Sequence, residues 1–300
     1  MTSPQKELAL GTAQFGLAYG ITNTRGTLPD QMARDLLKSC ARSGITLLDT
    51  AAGYGESEER LGRLLPPGSW RTVTKTAALR RERFEATDLT LFEDTFADSL
   101  RRLKRADVHG LLVHHADDLL VPGGDRLLHW LHEQRAAGRA RHIGVSLYDG
   151  DQARALLERY RHMPHVFDIV QLPASLADQR LLVDGTLDLL ADHGIQVHVR
   201  SLLLQGLLLA DEPFVEVRFP GKGAWIRRLH AWCAAHELSP LHACLSFFKS
   251  TPGIQVAVVG ATCPAELAEI AQVYEAAPVR DWREWADNDP AWVDPRRWAS

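Results

Sequence analysis

The sequence predicts an α/β protein folded as a single-domain (β/α)8 TIM barrel spanning residues 1–300, and three observations carry that prediction. Short apolar runs alternate with longer amphipathic segments along most of the chain, with no compositional break to mark a linker. Most of the short runs are apolar throughout rather than at every second residue, the pattern of parallel strands covered by helices. The runs end on Asp49, Lys75, His114, Ser146, Gln171 and Arg200, a spacing of roughly 25–40 residues that accommodates a strand, a crossover helix and two short loops. An open doubly wound sheet predicts G-x-G-x-x-G after an early strand. Only G-L-A-Y-G occurs there, and no helix starts on it.

In chain order, Leu8–Gly11 reads as the first strand, followed by a loop with two aromatics, Phe15 and Tyr19. Asp30 is placed to cap a helix in which Met32, Leu36, Leu37 and Cys40 share a face, and Gly44 ends it. Strand Ile45–Asp49 precedes a charged helix, Glu56–Leu65, closed by two prolines. Strand Arg71–Lys75 leads to a long helix over Phe84–Arg105, and strand Val108–His114 to a helix over Asp125–Ala137 that stops at Gly138. The next pairs are strand His142–Ser146 with helix Asp149–Arg161, and strand Val166–Gln171 with helix Asp178–His193. After strand Ile195–Arg200, Ser201–Gly223 reads as irregular, and helices follow over Ala224–His236 and Pro240–Ser250. Strand Gln255–Gly260 and helix Pro264–Ala276 complete the repeat. Residues 277–300 form a Trp-rich C-terminal tail, expected to pack as a loop across one barrel face or to help close a substrate pocket.

Composition narrows the function class. The chain is 45% apolar and 24% charged with a net charge of −4 and both signs interspersed, so nothing points to nucleic acid. The four cysteines are scattered without a C-x-x-C pair, as expected for reduced thiols in a cytoplasmic protein. The first residues show no signal-peptide pattern, and no apolar stretch has the length of a membrane span.

In a closed barrel the C-terminal strand ends share one mouth, where chemistry is assembled. Polar residues there mark the water boundary in the plainest reading, which suits Ser146 and Gln171. It suits Asp49 and Lys75 poorly, because each follows an apolar central strand, and a buried charge needs a partner. On neighbouring strands the two would pair. Tyr54, flanked by Gly53 and Gly55, follows the second strand closely enough to join them. An ammonium near a phenol favours the phenolate. The result is a tyrosine general acid for an oxygen gaining negative charge, with His114 orienting that oxygen. The carbon below must then receive a hydride, which no side chain supplies, so a nicotinamide or flavin is required. His114 and His115 are adjacent and diverge on a strand, a poor start for a metal site, and no metal is expected.

The motifs L-G-T-A-Q-F-G, L-L-D-T-A-A-G-Y-G-E-S-E-E-R-L-G, V-T-K, L-L-V-H-H and G-R-A-R-H-I-G-V-S, in this order, closely resemble those of the aldo-keto reductase superfamily from Leu8 to about Ala276. The resemblance implies an NAD(P)-dependent oxidoreductase interconverting a small-molecule carbonyl and an alcohol, with a catalytic tetrad of Asp49, Tyr54, Lys75 and His114. It places Phe15, Tyr19 and His115 toward substrate. For the cofactor it implies Ser146 and Gln171 on the nicotinamide carboxamide, with Leu147 where the family has asparagine. Arg200 stands where many members stack a tyrosine. Ser201, Leu203 and Gly206 fall in the pyrophosphate loop, and Thr12, Asp49, Gly260, Glu266 and Ile270 complete the cofactor contacts. The segment V-V-G-A-T-C-P-A-E-L-A-E-I carries Glu266 and Glu269 but no basic residue, which leans the expected choice between NADP(H) and NAD(H) toward NAD(H) or dual use. The same barrel also suits a cofactor-retaining epimerase or dehydratase, or a low-turnover redox-sensing subunit.

Overall fold

The structure, a computed structural model, describes residues 6–163 and 165–298. The reading of the first five residues as leaderless lies outside the described residues. Eight parallel strands close into one barrel in sequence order: β1 (Glu7–Gly11), β2 (Leu47–Asp49), β3 (Arg71–Lys75), β4 (Val108–Val113), β5 (Ala140–Ser146), β6 (Ile169–Pro173), β7 (Gln196–Arg200) and β8 (Val256–Val259), which returns to β1. The (β/α)8 expectation holds.

Side-chain alternation decides what faces the barrel axis. Ala9, Leu47, Val73, Leu112, Ile169 and Val256 form an interior cluster separate from the larger core between strands and helices. Two residues further along the same strands stand Gly11, Asp49, Lys75 and Gln171, so these face inward at the C-terminal rim. Register places Gly11 beside Asp49 and Ser146 beside Gln171. At the opposite rim Arg71 Nη2 pairs with Glu7 Oε2 at 2.5 Å.

The outer layer comprises α1 (Asp30–Arg42), α2 (Ser57–Leu64), α3 (Asp88–Leu103), α4 (Asp117–Leu120), α5 (Asp125–Ala136), α6 (Gly150–Arg159), α7 (Arg180–Val183), α8 (Thr186–Asp192), α9 (Glu212–Arg218), α10 (Gly223–Ala235), α11 (Pro240–Ser250), α12 (Pro264–Ala276) and α13 (Pro290–Val293). Helix starts follow local chemistry. Asp149 and Asp211 cap α6 and α9, and Ser239 and His242 form a reciprocal cap at α11. Asp30 differs from expectation: Pro29 is the cap, and the Asp30 carboxylate instead meets Arg63.

Three stretches differ from the sequence reading. The helix expected over Asp178–His193 is two, α7 and α8, because Gly185 at φ 74° breaks the run. The irregular stretch after β7 contains a 3-10 segment, Leu204–Leu209, and α9. The tail is not a surface loop. Trp282, Trp285 and Trp292 are buried; Trp282 Nε1 donates to Ser246 Oγ at 2.8 Å, and Trp292 packs edge-on to Phe219 and Trp225.

Candidate active site

Tyr54 is set in place by a turn. Its N–H donates to Ala51 O at 3.0 Å, and its carbonyl accepts from Ser57 N at 3.1 Å. Gly55 has φ 54°, and a Cβ there would lie 2.5 Å from Gly16 O, so no other residue fits without moving the turn. Gly53 has no such demand: a Cβ would meet only His114, at 3.9 Å. Of the two glycines flanking the tyrosine, only Gly55 is required.

The four expected catalytic residues converge. Lys75 Nζ donates to Asp49 Oδ1 at 2.7 Å and to Thr50 O at 2.9 Å, and lies 5.2 Å from the centre of the Tyr54 ring. His114 meets the same ring edge-on at 5.8 Å. Lys75 is 1% exposed, which makes the carboxylate beside it obligatory. Burial pulls the ammonium's pKa down, but the charge of Asp49, then Tyr54, and the hydrogen bond to Asp49 outweigh it and hold the pKa above its ordinary value. His114 is driven the other way, to about 4, by burial first and then by the charge of Lys75. It is therefore a neutral imidazole at physiological pH.

Gln171 adds a link the sequence did not reveal. Its Nε2 donates to Asp49 Oδ2 at 2.7 Å, so both oxygens of Asp49 are engaged, while Gln171 Oε1 is buried without a partner. A buried amide oxygen with no donor fits a ligand that brings an N–H, as a nicotinamide carboxamide does. Leu147 is buried in the outer core, and it serves this corner through its backbone, whose N–H bonds Gln171 O at 2.7 Å.

A cavity of about 720 Å³ opens beside these groups. Its wall holds Thr12, Tyr19, Asp49, Tyr54 and Arg200 at one part and Ser201, Leu203, Gly206, Gly260, Glu266 and Ile270 at others. Lys75, Ser146 and Gln171 are buried at the strand ends next to it. Two of the residues expected toward substrate do not line this cavity. Phe15 is fully buried in the outer core, where an aromatic ring gains more than at a wet mouth. His115 turns to Asp118, with Nδ1 3.3 Å from Oδ1, because that buried carboxylate already accepts the Leu79 and Arg80 N–H groups and draws a further donor. Arg200 is not free to lie flat over the cavity. Its Nη2 donates to Leu147 O at 2.9 Å, and its guanidinium covers the Tyr148 ring at 4.4 Å.

Two loops are tied along the cavity wall. Ile21 N donates to Gln205 Oε1 at 3.1 Å, and Thr22 Oγ1 donates to Gln205 O at 2.9 Å. The β7–α9 loop reaches this position through left-handed backbone at Ser201, Leu204, Gln205 and Gly206. At Gly206, φ is 91° and a Cβ would lie 2.2 Å from Thr22 Oγ1. Arg25 also lines the wall, a cation the sequence reading did not include. No periodicity or strand end marks it, since it sits on a loop. Glu266 is held by its own helix start, accepting from Thr262 N at 2.7 Å and from Thr262 Oγ1.

The profile of the Aldo/keto reductase family matches residues 7–286. The chain belongs to the aldo/keto reductase family. Curated relatives are distant but nearly full length. NADH-specific methylglyoxal reductase of Escherichia coli is 26% identical over 87% of each chain. D-threo-aldose 1-dehydrogenase of Pseudomonas sp. is 27% identical over 93% of this chain and 95% of the relative. Among solved structures, aldo-keto reductase AKR11C1 from Bacillus halodurans superposes with a TM-score of 0.73 at 19% identity, covering 97% of this chain and 94% of that one, which attests the fold. The protein is thus an aldo/keto reductase family oxidoreductase, a family that uses NAD(P)H on small-molecule carbonyl compounds.

Proposed function

We propose that this aldo/keto reductase interconverts a carbonyl and an alcohol with Tyr54 as the group that gives and takes the proton. The observation that carries the reading is the buried Lys75–Asp49 pair set under the Tyr54 ring. Lys75 stays charged and stabilises negative charge on the phenolic oxygen. Asp49 holds Lys75 in place, and Gln171 holds Asp49. His114, neutral, is able to hydrogen-bond a substrate oxygen without competing for the proton. A bound nicotinamide dinucleotide would supply the hydride. Gln171 Oε1, Ser146, the Ser201–Gly206 loop and the Glu266 end of the cavity are the groups to hold it.

For the dinucleotide we read NAD(H) ahead of NADP(H). Glu266 and Glu269 line the cavity, and a carboxylate repels a ribose phosphate whereas it accepts from a free ribose diol. The name of the Escherichia coli relative, an NADH-specific reductase, agrees. Steady-state reduction of an aldehyde panel with each dinucleotide, run beside Tyr54→Phe, tests both points. The substitution should lower kcat by at least about 10²-fold with little change in dinucleotide affinity. Near-normal turnover by that variant would remove Tyr54 from its role, and a large preference for NADPH would reverse the cofactor reading.

A further inference from the structure

Arg200 is a charge beside the tetrad that the proposed proton chemistry does not use. It ends β7, whose inward-facing residues include the buried His198 one layer below, and it lines the same cavity as Asp49 and Tyr54. Of the other cationic groups there, Lys75 is neutralised by Asp49, His114 is uncharged near neutral pH, and Arg25 is exposed to solvent on the loop before α1. Among the described residues no carboxylate lies within 4.0 Å of the Arg200 guanidinium. What holds it is uncharged, the carbonyl of Leu147 on one edge and the face of Tyr148 below. The opposite case is on the same ring. Arg296 from the tail also packs on Tyr148, at 4.2 Å, and carries two counter-charges, Asp294 at 2.5 Å and Asp149 at 3.4 Å. One ring thus has one neutralised and one bare guanidinium, and the bare one is on the cavity side.

That position is linked to Gln171 through the backbone, since Arg200 pairs with Pro173 two residues beyond Gln171 and holds the carbonyl of Leu147, whose N–H bonds Gln171 O. A ring whose carboxamide reaches Gln171 therefore lies within the field of Arg200. Oxidised nicotinamide is a cation and reduced nicotinamide is neutral. A fixed, half-buried positive charge close by raises the energy of the first and leaves the second nearly unaffected. We propose that Arg200 makes this site hold the reduced dinucleotide more tightly than the oxidised one. The inference rests on the reading that the site binds a nicotinamide dinucleotide. By linkage, tighter binding of the reduced form draws the bound couple toward reduction, so alcohol oxidation is favoured over what the free couple allows.

The test uses the full-length protein and needs no turnover. NADH binding is titrated by its fluorescence, NAD+ binding by displacement of NADH, and the pair NADPH and NADP+ is run in the same way. The ratio Kd(NAD+)/Kd(NADH) should fall about tenfold in Arg200→Met, equal to about 30 mV in the bound couple, mainly because NAD+ binds better. Arg200→Lys, which keeps the charge, should stay within about threefold of the parent ratio. If circular dichroism shows that Arg200→Met does not fold, Arg200→Gln takes its place with the same expectation. An unchanged ratio on loss of the charge overturns the proposal. So does equal weakening of both forms, which would make Arg200 a packing residue. Failure of the parent protein to bind any of the four dinucleotides removes the functional reading itself, and this inference with it.

Discussion

Asp49 has each carboxylate oxygen on a different strand's side chain, Lys75 on one and Gln171 on the other, both at 2.7 Å. Such a pair adds little net stability when whole, because two desolvated charges offset their attraction, but it is costly to break. Asp49→Asn should therefore destabilise the fold by about 3–5 kcal/mol, since it leaves the Lys75 ammonium buried without a counter-charge. Adding Lys75→Met should return part of that loss, because the orphaned charge is gone. Urea unfolding of the two single variants and the double measures this, and strict additivity would show that the residues do not act as a pair. The sequence already suggested this pairing, since an acid and an amine each closed an apolar strand. It could not show Gln171 as the third member, because a polar strand end has the same appearance whether it meets water or a carboxylate.

At the scale of elements, the tail and the loops hold the surprises. Trp292, on α13, is 0% exposed and sits between Phe219, which follows α9, and Trp225, on α10. Trp292→Ala should cost about 3–5 kcal/mol, the usual range for emptying an indole-sized space in a core. A shift in the denaturant midpoint with unchanged slope checks it, and a change below about 1 kcal/mol would return the tail to the surface packing expected from sequence. Tryptophans among acids, arginines and prolines carry no helical or strand period, so burial here was not legible. The break at Gly185 and the tie between Thr22 and Gln205 were hidden for a related reason. A glycine inside an apolar pattern is compatible with a continuous helix, and a hydrogen bond between two loops has no signature in either.

Across the described residues, four buried or half-buried imidazoles share one pH dependence, His132 among them, also lowered by burial. Burial lowers His198 to about 3 and His109 and His114 to about 4, each from an ordinary value of 6.5. Below pH 6.5 the unfolded chain takes up protons at these positions while the folded one does not, so stability falls as pH falls. Their contribution is complete above pH 6.5 and is lost through the window down to about 3–4. Thermal unfolding should show Tm dropping between pH 6.5 and 4.5, before most carboxylates titrate. A flat Tm across that interval would mean that these rings accept protons in place. Among the described residues no helix is long and apolar enough to cross a membrane.

The sequence by itself determined the barrel and the four groups at its mouth. Continuous apolar strands can be satisfied only by cover on both sides, and residues ending such strands are delivered to one rim whatever the loops do. Tertiary structure alone decided which way Phe15, His115 and Arg200 point, where the tryptophan tail is buried, and that Gln171 braces Asp49. Those outcomes depend on side chains competing for partners distant in the chain. Periodicity reports the face of an element, and it carries no information about which of several available partners a polar or aromatic group will take.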